Sequence, residues 1–306
     1  MAQLISSDCD VIIVNYNAGH LLAKCIGSLL PQLTGSIIVV DNASADDSLR
    51  LAEDLPAAGV LRIIRNTKNI GFAAACNVGA RASLAKSLLF LNPDSTLEPG
   101  ALRRMIEVLE SADDIGMVGG MLCNPDGTEQ PGGRRVFPTP GRAFMRAFGL
   151  SRLVKVFPKL FSDFLMHKEP LPKEPVAVEA ISGACMLVKR EAVADVGLWD
   201  DRYFLHCEDL DWCMRFGQKG YKIMFVPDAK VIHLWGACSR SRPIFVEWHK
   251  HYGMMRFYRK FFRHQYPRAL WWLVAVGVLL RFGLVATHYS AKRAGRALGL
   301  GRDRCE

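Results

Sequence analysis

Four short, unbroken apolar runs constrain this chain more than any other feature: Val11–Val14, Ile37–Val40, Leu61–Ile64 and Leu88–Leu91, each bounded by polar or turn residues. Helical patterns fall between them at about 18–30, 46–55 and 71–85, with another at about 99–111. Continuous Val/Ile/Leu runs alternating with helices predict an α/β fold, a mostly parallel sheet covered by helices on both faces and joined by right-handed crossovers. Such sheets bind ligands beyond the carboxyl ends of their strands. The residues just past each run therefore carry the functional signal.

The first run leads into Asn15, Tyr16 and Asn17, the second into Asp41, Asn42, Ala43 and Ser44. The third leads to Asn66–Phe72, which includes Asn69 and Gly71, and the fourth to Asn92, Pro93 and Asp94. Any one of these Asn or Asp residues reads as a helix cap or a turn former. Four such ends on one rim, with an aromatic face, amides and two carboxylates, suit a nucleotide pocket. No G-x-x-x-x-G-K-[ST] and no G-x-G-x-x-G comes after a strand, which removes the main support for an ATPase or a dinucleotide oxidoreductase.

Later segments supply ionisable groups. In His206–Arg215 a helix starting near Glu208 places acidic residues in its first turn and pairs Asp211 with Arg215 at i,i+4. The adjacent carboxylates Glu208 and Asp209 repel, so one must point elsewhere, and a carboxylate at a pocket-facing helix start is a candidate general base. His233 ends another apolar run and on its own reads as structural. Paired with Asp94, and completed by phosphate oxygens and water, it makes an exchangeable site for Mn²⁺ or Mg²⁺. Residues 131–175 are proline-rich and read as an insertion or flap over the pocket; Ala180–Val188 reads as a strand whose Gly183 marks a close backbone approach.

The series VIIVNYN, VVDNASADDS, NTKNIGFAAACNVG, LFLNPD, ISGACMLVKREAVADVGLWDDRYFLHCEDLDWCMR and VIHLWGACS spans residues 10 to about 240. It resembles the family 2 glycosyltransferases of GT-A fold and, within them, the bacterial rhamnosyltransferase-like branch. The resemblance implies that Asn15, Tyr16, Asp41, Asn69 and Phe72 contact base and ribose, with Asn77 close by. It sets Asn92 and Asp94 on the family's metal-binding Asp-x-Asp, the first Asp being Asn here. It makes Asp209 the catalytic base and His233 a late metal ligand. Ser182, Gly183, Ala184, Trp199 and Asp200 fall in the donor-sugar and acceptor pocket, with Glu208 and Asp211 beside them. The implied reaction is an inverting, metal-dependent transfer of L-rhamnose from dTDP-rhamnose to a hydroxyl of a lipid-linked or cell-surface polysaccharide. A UDP- or GDP-sugar donor, or a non-catalytic sugar-nucleotide-binding subunit, stands as the alternative.

The charge separates a second region. Of the formal +9, residues 240–306 carry a net of +11 and residues 1–239 a net of −2. Within that tail Ala269–Ala286 is apolar except for Arg281, with cations on both flanks. This fits a helix lying on an anionic membrane surface better than a spanning one; a buried helix or a dimer contact is the plainer alternative. Cations that flank a Trp/Leu/Val block instead of interleaving with stacking aromatics argue against nucleic acid. Nine scattered cysteines without a C-x-x-C pair, and an N-terminus lacking a basic n-region, predict a reduced, cytoplasmic setting without a secretory signal. The expected organisation is a GT-A domain over 1–240 and a helical membrane-associating extension over 241–306, peripheral on the inner face of the plasma membrane, with a homo-oligomer allowed.

Overall fold

The computed structural model describes residues 9–57, 59–139, 165–234, 243–265 and 267–297. Its centre is a nine-stranded curled sheet. The first four strands, β1 (Cys9–Asn15), β2 (Ile37–Asp41), β3 (Leu61–Arg65) and β4 (Ser87–Leu91), lie in the order β3-β2-β1-β4, all parallel. The ladder pairs Val11 with Ile37 and Leu89. Beyond β4 the sheet becomes mixed, because the later strands return from the other end. β10 (Cys185–Lys189) runs antiparallel to both β4 and β6 (Ile115–Cys123). β11 (Lys222–His233) is parallel to β6 and antiparallel to β5 (Ser95–Leu97) and β8 (Val176–Ala177). A separate ribbon joins β7 (Arg134–Arg135) to β9 (Ala180–Ile181).

Strand alternation sends side chains to two cores. On one face Val11, Ile13, Val39, Leu89 and Leu91 meet α1 (His20–Leu29) and α4 (Ala101–Glu110) through Leu22, Ile26, Leu102 and Met105. On the other, Ile12, Ile38, Val40 and Phe90 meet α3 (Phe72–Ala82) and α6 (Glu208–Gln218) through Cys76, Trp212 and Phe216. Each fully buried side chain of this size contributes about 1.5–3 kcal/mol relative to exposure. Among the described residues the remaining α-helices are the short α2 (Ser48–Glu53) and α5 (Arg190–Val196), then α7 (Pro243–Phe261) and α8 (Arg268–Ala297).

The C-terminal pair is joined to this body. Phe257 of α7 is fully buried in the second core, and Phe282 of α8 packs its ring on Trp248 of α7 at 5.3 Å. Among the described residues no helix is long and apolar enough to cross a membrane. The centre of the expected flap, residues 140–164, and the segment 235–242 that includes Trp235 lie outside the described residues.

Candidate active site

The parallel half of the sheet ends in a connected polar network. Asn15 is fully buried and donates through Nδ2 to Asp41 Oδ1 at 2.7 Å, Ser44 Oγ at 3.0 Å and Ser48 Oγ at 2.8 Å. Ser44 closes on Asp41 with its hydroxyl at 2.6 Å and its backbone N–H at 3.0 Å. Asn17, in the left-handed region at φ 53°, accepts from the Ala45 N–H at 2.8 Å, and Tyr16 is half-buried beside it. Asn69 accepts from the Gly71 N–H at 2.9 Å. Gly71 sits at φ 90°, and an added Cβ would stand 2.8 Å from the Phe204 carbonyl, so only glycine fits this turn.

The second half is built from the strands that return. Asp94 lies just before β5 and His233 ends β11, the next strand across. His233 Nε2 stands 3.3 Å from Asp94 Oδ1, and both side chains are more than nine-tenths buried. Gln130, an ordinary residue to the eye in a loop, fixes the ring. Its Nε2 donates to the His233 carbonyl at 2.5 Å, which turns its Oε1 toward His233 Nδ1 at 2.9 Å. That oxygen only accepts, so Nδ1 donates to it, and Nε2 is the ring atom left facing a carboxylate oxygen that receives no hydrogen bond. A divalent cation between Nε2 and Asp94 Oδ1 would engage both atoms. Among the described residues no third His, Cys, Asp or Glu joins them.

Asp209 opens helix α6 after two successive residues at positive φ, His206 at 68° and Cys207 at 69°. Such a turn is strained for side-chain-bearing residues and aims the first helical turn sharply. Asp209 Oδ2 accepts from Arg135 Nη2 at 2.5 Å and from the Gly183 N–H at 3.2 Å, while Oδ1 accepts the Leu210 N–H at 2.8 Å. The Gly183 backbone comes so near that an added Cβ would stand 3.3 Å from the Asp209 Cβ. Burial by itself would raise the Asp209 carboxyl, but the Arg135 guanidinium and these N–H donors hold it below the ordinary carboxylate range. Its neighbour Glu208 is the reverse case: burial, then the Asp209 charge, pushes it up to about 8, and its Oε2 has no hydrogen-bond partner.

One short segment ties these two clusters. Gln130 holds His233 and Arg135 holds Asp209, five residues apart, a span of at most about 18 Å of extended backbone. From the other side, the Asn92 N–H bonds the Ala184 carbonyl at 3.0 Å while Gly183 touches Asp209, and Ser182 donates its N–H to the Gly133 carbonyl at 3.1 Å. Asn92, Asp94, Ser182, Gly183, Ala184, Asp209 and His233 therefore belong to one neighbourhood.

Four expected pocket residues are engaged by the protein's own groups. Asn77 is buried, and both ends of its amide bond the Trp199 backbone, at 2.9 and 3.0 Å. Trp199 itself is core, its ring packed on Trp212 at 4.1 Å, on Phe90 at 5.3 Å and on Phe72 at 5.8 Å. Asp200, in the loop before α6, and Asp211 on α6 both engage α7: Asp200 pairs with Arg202, Arg256 and Lys260, and Asp211 with Arg215 at 2.8 Å and Lys260 at 2.6 Å. Arg256 and Lys260 lie a full helix downstream, so the local sequence shows only Arg202 and Arg215 as partners. Arg135 and Gln130 were not legible for the same reason, each acting across more than seventy residues.

The comparisons agree with this architecture. The model of the family described as Glycosyl transferase family 2 matches residues 10–197. The N-acetylglucosaminyl-diphospho-decaprenol L-rhamnosyltransferase of Mycobacterium tuberculosis is 28% identical over 241 residues, 73% of this chain and 75% of that protein. The mannosyltransferase PcManGT from Pyrobaculum calidifontis, solved with GDP-Man and Mn²⁺, superposes with a TM-score of 0.56 at 16% identity, covering 96% of this chain and 81% of the other. GalNAc-T7, solved with UDP, GalNAc and Mn²⁺, gives a TM-score of 0.55 at 19% identity over 74% of this chain, which spans only 43% of that one.

Proposed function

The chain belongs to glycosyl transferase family 2, in its rhamnosyltransferase-like branch, and from that premise we propose that it transfers L-rhamnose from dTDP-rhamnose, with inversion, to a hydroxyl of a lipid-linked or cell-surface polysaccharide. The carrying observation is the Gln130–Arg135 segment, which holds the Asp94–His233 pair and the Asp209 carboxylate in one neighbourhood. The M. tuberculosis relative, named for L-rhamnose and a diphospho-decaprenol acceptor, supports the choice of sugar and of lipid-linked acceptor.

In this reading the rim of Asn15, Tyr16, Asn17, Asp41, Asn69, Gly71 and Phe72 takes the nucleoside, with Asn92 beside the diphosphate. Asp94 and His233 would hold a divalent Mn²⁺ or Mg²⁺, whose charge offsets the negative charge gathering on the leaving diphosphate. Asp209 Oδ2 already accepts two hydrogen bonds, so the acceptor hydroxyl donates to the free lone pair of Oδ1. As the oxygen of the acceptor hydroxyl bonds to the anomeric carbon, the hydroxyl proton passes to Asp209 and the carbon–diphosphate bond breaks on the opposite face. Arg135 and Gly183 fix the carboxylate so that it meets the hydroxyl without reorganising. Ser182 and Ala184 border the sugar, and the neutral side chain of Glu208 spares Asp209 a second adjacent charge. The basic helices α7 and α8 rest on a membrane surface, bringing the pocket to acceptors anchored there.

Nucleoside diphosphate released from a panel of dTDP-, UDP- and GDP-sugars, with and without Mn²⁺, tests the proposal. Turnover of dTDP-rhamnose well above the others is expected. Preferential release from a UDP- or GDP-sugar overturns the donor, and release from none overturns the catalytic reading.

A further inference from the structure

Helix α7 carries cations on two faces with different fates. Arg256 and Lys260 point into the body, where Asp200 and Asp211 engage them at 2.6–3.0 Å. Arg259 on the adjoining face, and Arg263 in the turn just after the helix, are exposed, and among the described residues neither has an acidic partner. With Trp271 and Trp272 at the start of α8 they line a cavity of about 400 Å³. Trp272 also begins an apolar stripe on α8. Leu273, Val276, Leu279, Leu280 and Leu284 continue it at helical spacing, and all six are 52–73% exposed.

A continuous stripe of this kind marks an interaction surface, and indole rings favour the boundary between headgroups and acyl chains. Two unpaired guanidiniums beside it call for an anion, and their planar forks match phosphate oxygens. We propose that the cavity between α7 and α8 binds the phosphate of an anionic phospholipid headgroup and so seats the α8 stripe in the membrane surface. The occupant is a lipid because the stripe starts from the cavity's own wall at Trp272: an anion held by Arg259 and Arg263 lies level with the side chains that enter the acyl region. This rests on the peripheral-membrane reading above and adds a defined anion seat to it.

Co-sedimentation of the full chain with vesicles of phosphatidylcholine, with and without phosphatidylglycerol, tests both levels. The wild type should bind the phosphatidylglycerol vesicles far more tightly. Arg259→Gln/Arg263→Gln should weaken that binding by about thirtyfold, the loss expected for two cations at an anionic surface, while donor hydrolysis and the thermal melt stay unchanged. Arg259→Lys/Arg263→Lys keeps the charge but loses the forks and should still bind several-fold more weakly. Equal binding of the Lys variant and the wild type reduces the seat to surface charge and overturns it. Leu280→Ser/Leu284→Ser should lower binding to both kinds of vesicle. A wild type that binds neither kind overturns the membrane reading itself, whereas a Gln variant that binds like the wild type overturns only the seat. Tight binding of inorganic phosphate without vesicles, lost in the Gln variant, would assign the cavity to a soluble anion and sink the lipid.

Discussion

The two halves of the active-site rim differ in how well their polar groups are satisfied. At the ends of β1 and β2, Asn15, Asp41, Ser44 and Ser48 bond one another, and the orphan within that network is Asn15 Oδ1. Around β5, β10 and α6, Asp94 Oδ1, Glu208 Oε2 and Arg135 Nε are all buried without a hydrogen-bond partner. Buried polar atoms left unpaired cost about 1–3 kcal/mol each, so they persist where something besides folding selects them. The first half is a preformed shape, and the second holds charge in waiting. Substitutions in the first should cost stability and donor affinity, and substitutions in the second should cost turnover with stability largely kept.

The sharpest break of that contrast is Asp209→Asn. The amide keeps the shape beside Arg135 and cannot take a proton, so kcat should fall about 10²–10⁴-fold with little change in the donor KM. Unchanged turnover would remove Asp209 from its role. Arg135→Gln adds a directional test. Without the guanidinium the Asp209 carboxyl rises, so the acid limb of the pH–rate profile should move to higher pH, with the largest loss at low pH. A limb that stays in place would mean that Arg135 does not set the basicity of Asp209.

Gln130→Ala comes next. It frees His233 to rotate and to change tautomer, and losing such a supporting partner typically costs 10–100-fold in metal affinity. A Mn²⁺ titration of donor turnover should show half-saturation raised by about that factor. The same half-saturation as the wild type would show that the ring is held by other means. On the opposite side, Asn15→Ala takes one donor away from Asp41 and from each serine hydroxyl and leaves a gap at the strand end, and should lower stability by about 1–3 kcal/mol in urea unfolding. A loss of turnover there with unaltered stability would erase the distinction between the halves.

Legibility in the sequence ran along the same division. The parallel half could be read because each element sits where its own period puts it: VIIV and IIVV became β1 and β2, and their polar ends are consecutive residues. The mixed half could be read only as separate pieces. Asp94, Asp209 and His233 stood out as residue types, but their positioners Gln130 and Arg135 are ordinary in a proline-rich stretch, and no local rule joins residue 135 to residue 209. Trp199 and Asp211 run in the opposite direction. The resemblance set them in or beside the donor and acceptor pocket, whereas Trp199 packs on Phe90 and Trp212, and Asp211 keeps its i,i+4 pair with Arg215 and gains Lys260 from α7. The tail, expected as a separate extension, is tied to the body by Phe257 and those ion pairs, so its point variants are better tests than its removal.

The last expected effect concerns Glu208 and grows with pH, and it tests whether its orphaned carboxyl is neutral. Burial and the neighbouring Asp209 charge push it from 4.5 to about 8. The folded chain therefore holds this proton more tightly than the unfolded chain does. The contribution to stability is full at and below pH 4.5, declines as the pH rises, and is lost once the pH has passed about 8. Glu208→Gln keeps the size and a donor where the acid proton was, and does not ionise. Its urea midpoint should match the wild type near pH 4.5 and exceed it by a widening margin toward pH 8. A margin that stays flat across that window would mean that the carboxylate is accommodated in its charged form, and the second half of the rim would then hold one more ready anion than its hydrogen bonds imply.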